Sequence, residues 1–324
     1  MTGRSRGAWV LVAPPALVEP FAPLVEAHGR DRPVVVHERT TVPDPDEWPS
    51  LLGPGAAGAL LVADRRRSPR SALPGVFVRG SDGAAVPVGW VPAGAGGVAQ
   101  LVATALAVRR RTDTGPLAVL GQRSARYQRL SERLEHHLHS APSVRWGAER
   151  VTREDLCTAL EAGLGAAVYL GHGRPSGWAA YRGLRAAHLA GLARRPLGCV
   201  LSVTCWTASR WRVGTSFSEQ LVLQGSAAAT VGATRPVEHL ASTRVVVALA
   251  AAVRSDPPDV ATLLRRTLLV GGKPTPEARD LRLCGDPLAS LAAEHGATAR
   301  AAAVFAPPPD LRPQDRHHRT EEVA

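Results

Sequence analysis

The sequence is short of most features that classify a protein quickly. Its four cysteines, Cys157, Cys199, Cys205 and Cys284, are too few and scattered in 324 residues for a disulfide framework, and no C-x-x-C pair occurs. The histidines of "HHLH", His136 to His139, fall on an amphipathic pattern as a solvated face rather than at zinc spacing, so no metal is expected. No run of about 18 apolar residues is present, and nothing reads as a membrane-spanning helix. The start "MTGRSRGAWVLVAPPALVEP" is broken by Pro14 and Pro15 and has no small-residue cleavage site. "AWVLVA" therefore reads as a first strand rather than a leader, and the protein as cytoplasmic. Lysine is missing except for Lys273, and aromatic residues make up only 4%.

These last two shortages bear on charge. A net +11 with a pI near 10.9 would ordinarily suggest nucleic acid. Nearly all of it is arginine, in a chain heavy in Ala, Gly, Pro and Val, the bias of a GC-rich genome. The few aromatics are not interleaved with the basic residues as a base-stacking platform requires. Short clusters such as Arg65 to Ser68 and Arg109 to Thr112 read as loop and helix-end charges. Nucleic acid is not an expected partner, and without a G-x-x-x-x-G-K-[ST] loop no cofactor is expected either.

What the sequence does contain is alternation. Short apolar, β-branched runs at Trp9–Val12, Val34–His37, Ala59–Val62, Val76–Val78, Leu117–Leu120, Ala166–Leu170, Cys199–Val203 and Ala228–Val231 read as strands buried on both faces. Helical patterns run from Arg123 to His139, Arg153 to Ala162, Phe217 to Gln224, Val237 to Arg254 and Pro258 to Leu269, with Ser216 and Asp256 as caps for the third and fifth. This predicts an α/β sandwich around a mostly parallel sheet. The Gly/Pro-rich tract Ser81 to Gly97 reads as a long surface connection, and residues 307–324 as a disordered tail.

Two strand ends stand out. "AAVYLGHGRPSGW" places His172 between two glycines behind one strand, and "LGCVLSVTCWTASRW" places Cys205 behind another. If the strands are parallel neighbours, both side chains emerge at the sheet edge where α/β proteins build sites. There an imidazole can take the proton of a thiol, and Gly173 and Cys205 can aim backbone N–H groups at an oxyanion. Gly171 is expected to let the chain turn off the strand. A buried apolar cysteine and a satisfied strand-end histidine explain the spacing equally well. Cys199 and Cys157 read as inert, and Cys284 as a reserve thiol.

In order, "VYLGHG", "LSVTCWTAS", "FSEQLVLQGSAAATVGATRPVEHLASTRVVVALAAAV" and "LCGDPLASL" resemble the catalytic half of the caspase-like cysteine peptidases of the CHAT type, with gingipains and separases as more distant relatives. The resemblance spans about Leu164 to Leu291. It implies a caspase-like three-layer sandwich, with residues 113–306 as the peptidase domain and 307–324 as the tail. Residues 1–112 would be an N-terminal α/β region, which related peptidases often build as a degenerate copy. That region either continues the sheet or packs as a separate pseudo-domain, the second being preferred. The resemblance further implies His172 as general base, Cys205 as nucleophile, Gly173 as oxyanion donor, and Gly285, Asp286 and Pro287 as structural. Arg174, Thr234, Arg235 and Glu238 are candidates for substrate binding. Arg235 would favour an acidic side chain and Glu238 a basic one. Trp206 and Trp211 around "TAS", and Thr234 and Arg235 where relatives often carry a Trp, depart from the family pattern.

The function expected is therefore a cysteine endopeptidase acting on a protein substrate. No membrane is involved, and an activating or regulatory protein partner in a bacterial regulatory or defence system would control it. A catalytically silent caspase-like interaction module, or another thiol enzyme such as an amidotransferase, remains open.

Overall fold

The computed structural model describes residues 7–63, 73–92, 94–139 and 141–305; the tail and the Arg65–Ser68 cluster lie outside them. Fifteen strands occur among these residues. They are β1 Trp9–Ala13, β2 Val34–Glu38, β3 Gly58–Ala63, β4 Phe77–Arg79, β5 Ala85–Pro92, β6 Leu117–Gly121, β7 Ser143–Gly147 and β8 Ala166–Leu170. There follow β9 Gly173–Arg174, β10 Gly177–Trp178, β11 Leu197–Val203, β12 Ala227–Ala233, β13 Leu269–Val270, β14 Lys273–Pro274 and β15 Leu281–Gly285.

Ten of them form one continuous path in the order β2-β1-β3-β5-β15-β12-β11-β8-β6-β7, with β4 beside β5. The preferred separate pseudo-domain is thus not what forms: the sheet runs unbroken across residue 112. Within β2, β1, β3 and β5 the pairs are parallel, as they are within β12, β11, β8, β6 and β7. β15 joins the two sets, parallel to β5 and antiparallel to β12. The two halves therefore run in opposite directions, and the carboxyl ends of β8, β11 and β12 share a rim that the N-terminal strands do not.

Helices cover both faces, giving three layers. Ala125–Leu138, His239–Arg254 and Val260–Leu268 pack one side of the C-terminal half, with Leu134, Leu249 and Leu264 buried against Val119, Val168 and Leu201. Arg153–Leu160, Ala186–Arg194 and Phe217–Leu223 pack the other, burying Leu160, Leu189 and Phe217 against Tyr169 and Val200. A third cluster, including Trp9, Leu60, Trp90 and Leu101, fills the N-terminal half.

Three expectations are corrected. Ser81 to Gly97 is no surface connection, because it holds β5, buried along most of its length, and the start of helix Ala95–Arg109. The helix Val260–Leu268 is capped by Asp259, whose carboxylate accepts from Thr262 N at 2.7 Å. Asp256 instead has φ +48°, in the left-handed region rather than the extended backbone of a cap. Ser216 is a cap as expected, in a reciprocal capping box with Glu219. Cys284 sits within β15 at 1% exposure with its thiol pushed up to about 12 by burial, so it is no reserve nucleophile.

The "GDP" turn is structural in a specific way. Gly285 at φ +89° turns the chain across the face of the N-terminal strands. A Cβ on Gly89 would collide with the Gly285 carbonyl, and one on Gly58 would lie 3.0 Å from Pro287 Cγ. Those two glycines make room for the crossing. Asp286 is carried inside, accepting from Trp9 Nε1 at 3.1 Å and Leu288 N at 3.0 Å and meeting His28 Nε2 at 3.1 Å.

Candidate active site

The site grows from the in-register pairing of β8 and β11, in which Leu170 lies opposite Val203. His172 and Cys205 each follow two residues later, so they leave adjacent parallel strands at the same rim. The two loops touch through their backbones: a Cβ on Gly173 would collide with the Cys205 carbonyl oxygen and sit 2.7–2.8 Å from Thr204 Cγ2 and Oγ1. Any side chain at position 173 would push the loops apart. Gly171 has a different reason from the expected turn, since its φ lies outside the left-handed region. A Cβ there would strike the Tyr169 phenol.

The His172 backbone is fixed on both sides. Its N–H donates to Gln122 Oε1 at 2.6 Å, and its carbonyl accepts from Tyr169 Oη at 3.0 Å and Ala179 N at 2.9 Å. Tyr169 stacks on Trp178 of β10, whose indole N–H donates to Ser202 Oγ on β11 at 2.9 Å, so the histidine loop is tied to the cysteine strand from below. The imidazole is exposed at the rim, and its Nδ1 shares a 3.4 Å hydrogen bond with Tyr127 Oη. The two rings meet edge to face, with centroids 5.1 Å apart. Burial raises the Tyr127 phenol above its ordinary value, more than Arg126 lowers it, so the hydroxyl keeps its proton at neutral pH.

Cys205 is half-buried, and its Sγ accepts from Val237 N at 3.2 Å. Burial raises the other three thiols: Cys157 to about 11, Cys284 to about 12, and Cys199 higher still. Trp206, directly after Cys205, has φ +67°, an uncommon conformation for a bulky residue. Its ring stacks on Trp211 at 5.5 Å, and Arg212 caps that ring at 4.4 Å. Behind this loop Arg210 pairs with the buried Glu219 at 2.8 Å, and Trp90 of β5 donates to the same carboxylate at 2.7 Å.

The remaining sequence candidates scatter. Arg174 is exposed on the β9–β10 hairpin. Thr234 is held by Asp280 O through both its N and Oγ1, at 2.8 and 3.1 Å. Arg235 lies 3.8 Å from Asp280 Oδ1 rather than pairing with Glu238. Arg235 and Glu238 also face different cavities. Glu238 lines an apolar one of about 250 Å³ under residues 236–241, where Val203, Val245 and Leu264 form the walls. Arg235 and Thr234 line one of about 420 Å³ with Arg210, Arg279 and Arg282. Sequence reading missed Tyr127, Gln122 and Val237. Tyr127 looked like any apolar position of an amphipathic helix, and the other two act through groups that no motif marks. Among the described residues no cluster of three His, Cys, Asp or Glu side chains could hold a metal, and no helix is long and apolar enough to cross a membrane.

Comparison places this geometry in a family. In the solved structures, the chain is similar to the crystal structure of the Arg-specific cysteine proteinase gingipain R (RgpB), at 13% identity and a TM-score of 0.67 over 89% of this chain and 79% of that one. It is likewise similar to the complex of Porphyromonas gingivalis RgpB pro- and mature domains, at 13% identity and a TM-score of 0.65 over 88% and 80%. At such identity these likenesses speak for the fold. No curated protein matches the chain significantly. The profile of peptidase family C25 matches residues 109–292, more than half of the chain, and so covers β6 through β15 with both loops of the rim. The chain belongs to peptidase family C25 and is a cysteine-type peptidase of caspase-like α/β fold.

Proposed function

We propose that this peptidase cuts peptide bonds in a protein substrate through Cys205 as nucleophile and His172 as its base. The observation that carries the reading is the backbone contact of the Gly173 and Cys205 loops on adjacent in-register strands. In this reading His172 takes the Cys205 proton and the thiolate sulfur attacks the scissile carbonyl. The Gly173 and Cys205 N–H groups face the resulting oxyanion. The C–N bond then breaks as the amine leaves with the proton from His172. Water, deprotonated by the same imidazole, hydrolyses the thioester and restores the thiol. Tyr127 takes the orienting place beside Nδ1 and leaves Nε2 for the thiol.

The test is covalent. A peptidyl electrophile is expected to label one site, Cys205, found by mass spectrometry of the digest, and His172→Ala should slow labelling about 100-fold. Labelling on Cys157, or none on any cysteine with the fold intact, would sink the assignment. Tyr127→Phe is expected to lower kcat about 3- to 10-fold with KM nearly unchanged, as measured on the best peptide found, since it removes one hydrogen bond to the base.

Control by a protein belongs to the same proposal. The RgpB neighbour is a complex of pro- and mature domains. We infer that this chain is held in check by a protein, in a bacterial regulatory or defence setting. The arginine specificity in that neighbour's description does not carry over. Of the three carboxylates that line the cavity under residues 236–241, Glu277 is engaged with Arg244 and Asp280 lies beside Arg235, while Glu238 makes no ion pair among the described residues. Two of the three are thus partnered by the protein's own cations.

A further inference from the structure

We propose that the arginine-lined cavity beside the nucleophile loop is a subsite for an acidic side chain of the peptide substrate. This rests on the Cys205/His172 reading for its use, and on the cavity itself for its chemistry.

Four arginines, Arg210, Arg235, Arg279 and Arg282, line the cavity of about 420 Å³ together with the hydroxyl residues Ser209 and Thr234, and no carboxylate is in the lining. The charges around it do not cancel. Glu219 takes Arg210 at 2.8 Å, and Asp280 stands 3.8 Å from Arg235. Among the described residues neither Arg279 nor Arg282 has a carboxylate within ion-pair distance. Two positive charges therefore remain for one concave space.

Arg282 is the more telling. It is only 9% exposed, on β15 opposite Gly232 of β12. Its hydrogen bonds are two long ones to carbonyls, Nε to Pro74 O at 3.4 Å and Nη1 to Ala208 O at 3.5 Å. A guanidinium offers five N–H donors in a fork suited to a carboxylate or phosphate, so most of its capacity is unspent. Burying such a cation is unfavourable, and desolvation lowers its pKa by more than the Glu219 carboxylate, already bonded to Arg210, raises it. An incoming anion would restore the balance.

The cavity wall is also bonded to the nucleophile loop. Trp206 N–H, one residue after Cys205, donates to Arg235 O at 3.4 Å, and Ala208 N–H donates to Ala233 O at 2.9 Å. These bonds tie the wall to the residues just after Cys205, so the proposal puts the acidic side chain within a residue or two of the cut. The same pocket chemistry would take a free phosphate-type anion acting as an effector, and the experiment separates the two.

The test uses the full chain and quenched fluorescent peptides that differ only in Asp against Asn, Glu against Gln, and Arg, at each position flanking the cut. At one position the acidic member is expected to exceed its amide in kcat/KM about 10-fold or more, and the margin should shrink with salt. Arg279 is exposed, so Arg279→Gln should fold and bring the ratio close to unity, while Arg279→Glu should turn preference toward the Arg peptide. Added inorganic phosphate or pyrophosphate is expected to compete with the acidic peptides. Charge-blind cleavage overturns the subsite and leaves the peptidase standing. Phosphate that accelerates neutral peptides, with no acidic preference at any position, assigns the cavity to an effector and overturns the subsite as well. Cleavage of no peptide, together with no labelling of Cys205, overturns the dyad and the subsite with it.

Discussion

Cys205→Ala is expected to lower kcat/KM on any cleaved peptide by at least about 10⁴-fold, with His172→Ala close behind and the double variant no worse than either. The non-additivity is the informative part, because a base without its nucleophile has nothing to activate. The other thiols cannot substitute. Cys199 and Cys284 are fully inside β11 and β15, and Cys157 lies on a helix of the outer layer with its thiol pushed up to about 11. Cys157→Ser should therefore change kcat/KM less than twofold. Progress curves with active-site titration check the series. A Cys205→Ala protein that keeps more than about 1% of wild-type turnover would remove the dyad from consideration.

The distinction between positions 205 and 284 shows what a sequence can carry. Both cysteines lie in or directly behind an apolar, strand-like run. β11 and β15 are both interior strands, and what separates a sealed thiol from one at a rim is that Cys284 lies within β15 whereas Cys205 follows the end of β11 by two residues. The strands β8, β11 and β12 were legible because a strand buried on both faces reads as an uninterrupted apolar run. β5 was not, since its "AVPVGWVP" carries prolines at the third and last positions with a glycine between them. The glycine answers a tertiary demand, the crossing of the Gly285–Pro287 turn over Gly89, which no local pattern announces. Helix Ala95–Arg109 hid for a related reason: it is apolar nearly all round and starts on glycines, so neither period nor propensity marks it. At the site, His172, Gly173 and Cys205 stood out as strand-end residues. Tyr127 and Gln122 come from β6 and the helix behind it, and their part exists only once β6 pairs with β8. The likeness to caspase-like peptidases was readable from four short motifs in order, whereas the C25 family came from comparison of the whole span.

The unbroken sheet leads to the second large effect. A chain cut to residues 113–306, the span the motifs mark as catalytic, is expected not to fold. Without β5, the β15 strand becomes an edge in mid-sheet, with Leu283 and Cys284 losing their partners Gly89 and Trp90. Asp286 is worse placed. Burial alone would raise its carboxyl, but His28, with hydrogen bonds from Leu288 N and the Trp9 indole, holds it below the usual carboxylate range. A depressed pKa in the fold stabilises it above that range and is lost as pH falls through it. His28 and Trp9 both lie in the removed segment, so the cut takes away the two side chains that hold this carboxylate inside the fold. Losing Trp90 also strips the Glu219 carboxylate that anchors Arg210 behind the nucleophile loop. Against a domain stability of about 5–15 kcal/mol, these losses together with the bared apolar face of β15 leave no native state. Circular dichroism and urea titration of the fragment should show no cooperative transition, and co-expression with residues 1–112 should recover one. A soluble 113–306 fragment that melts cooperatively and still labels at Cys205 would mean that the N-terminal strands are an accessory to the catalytic half rather than part of its core.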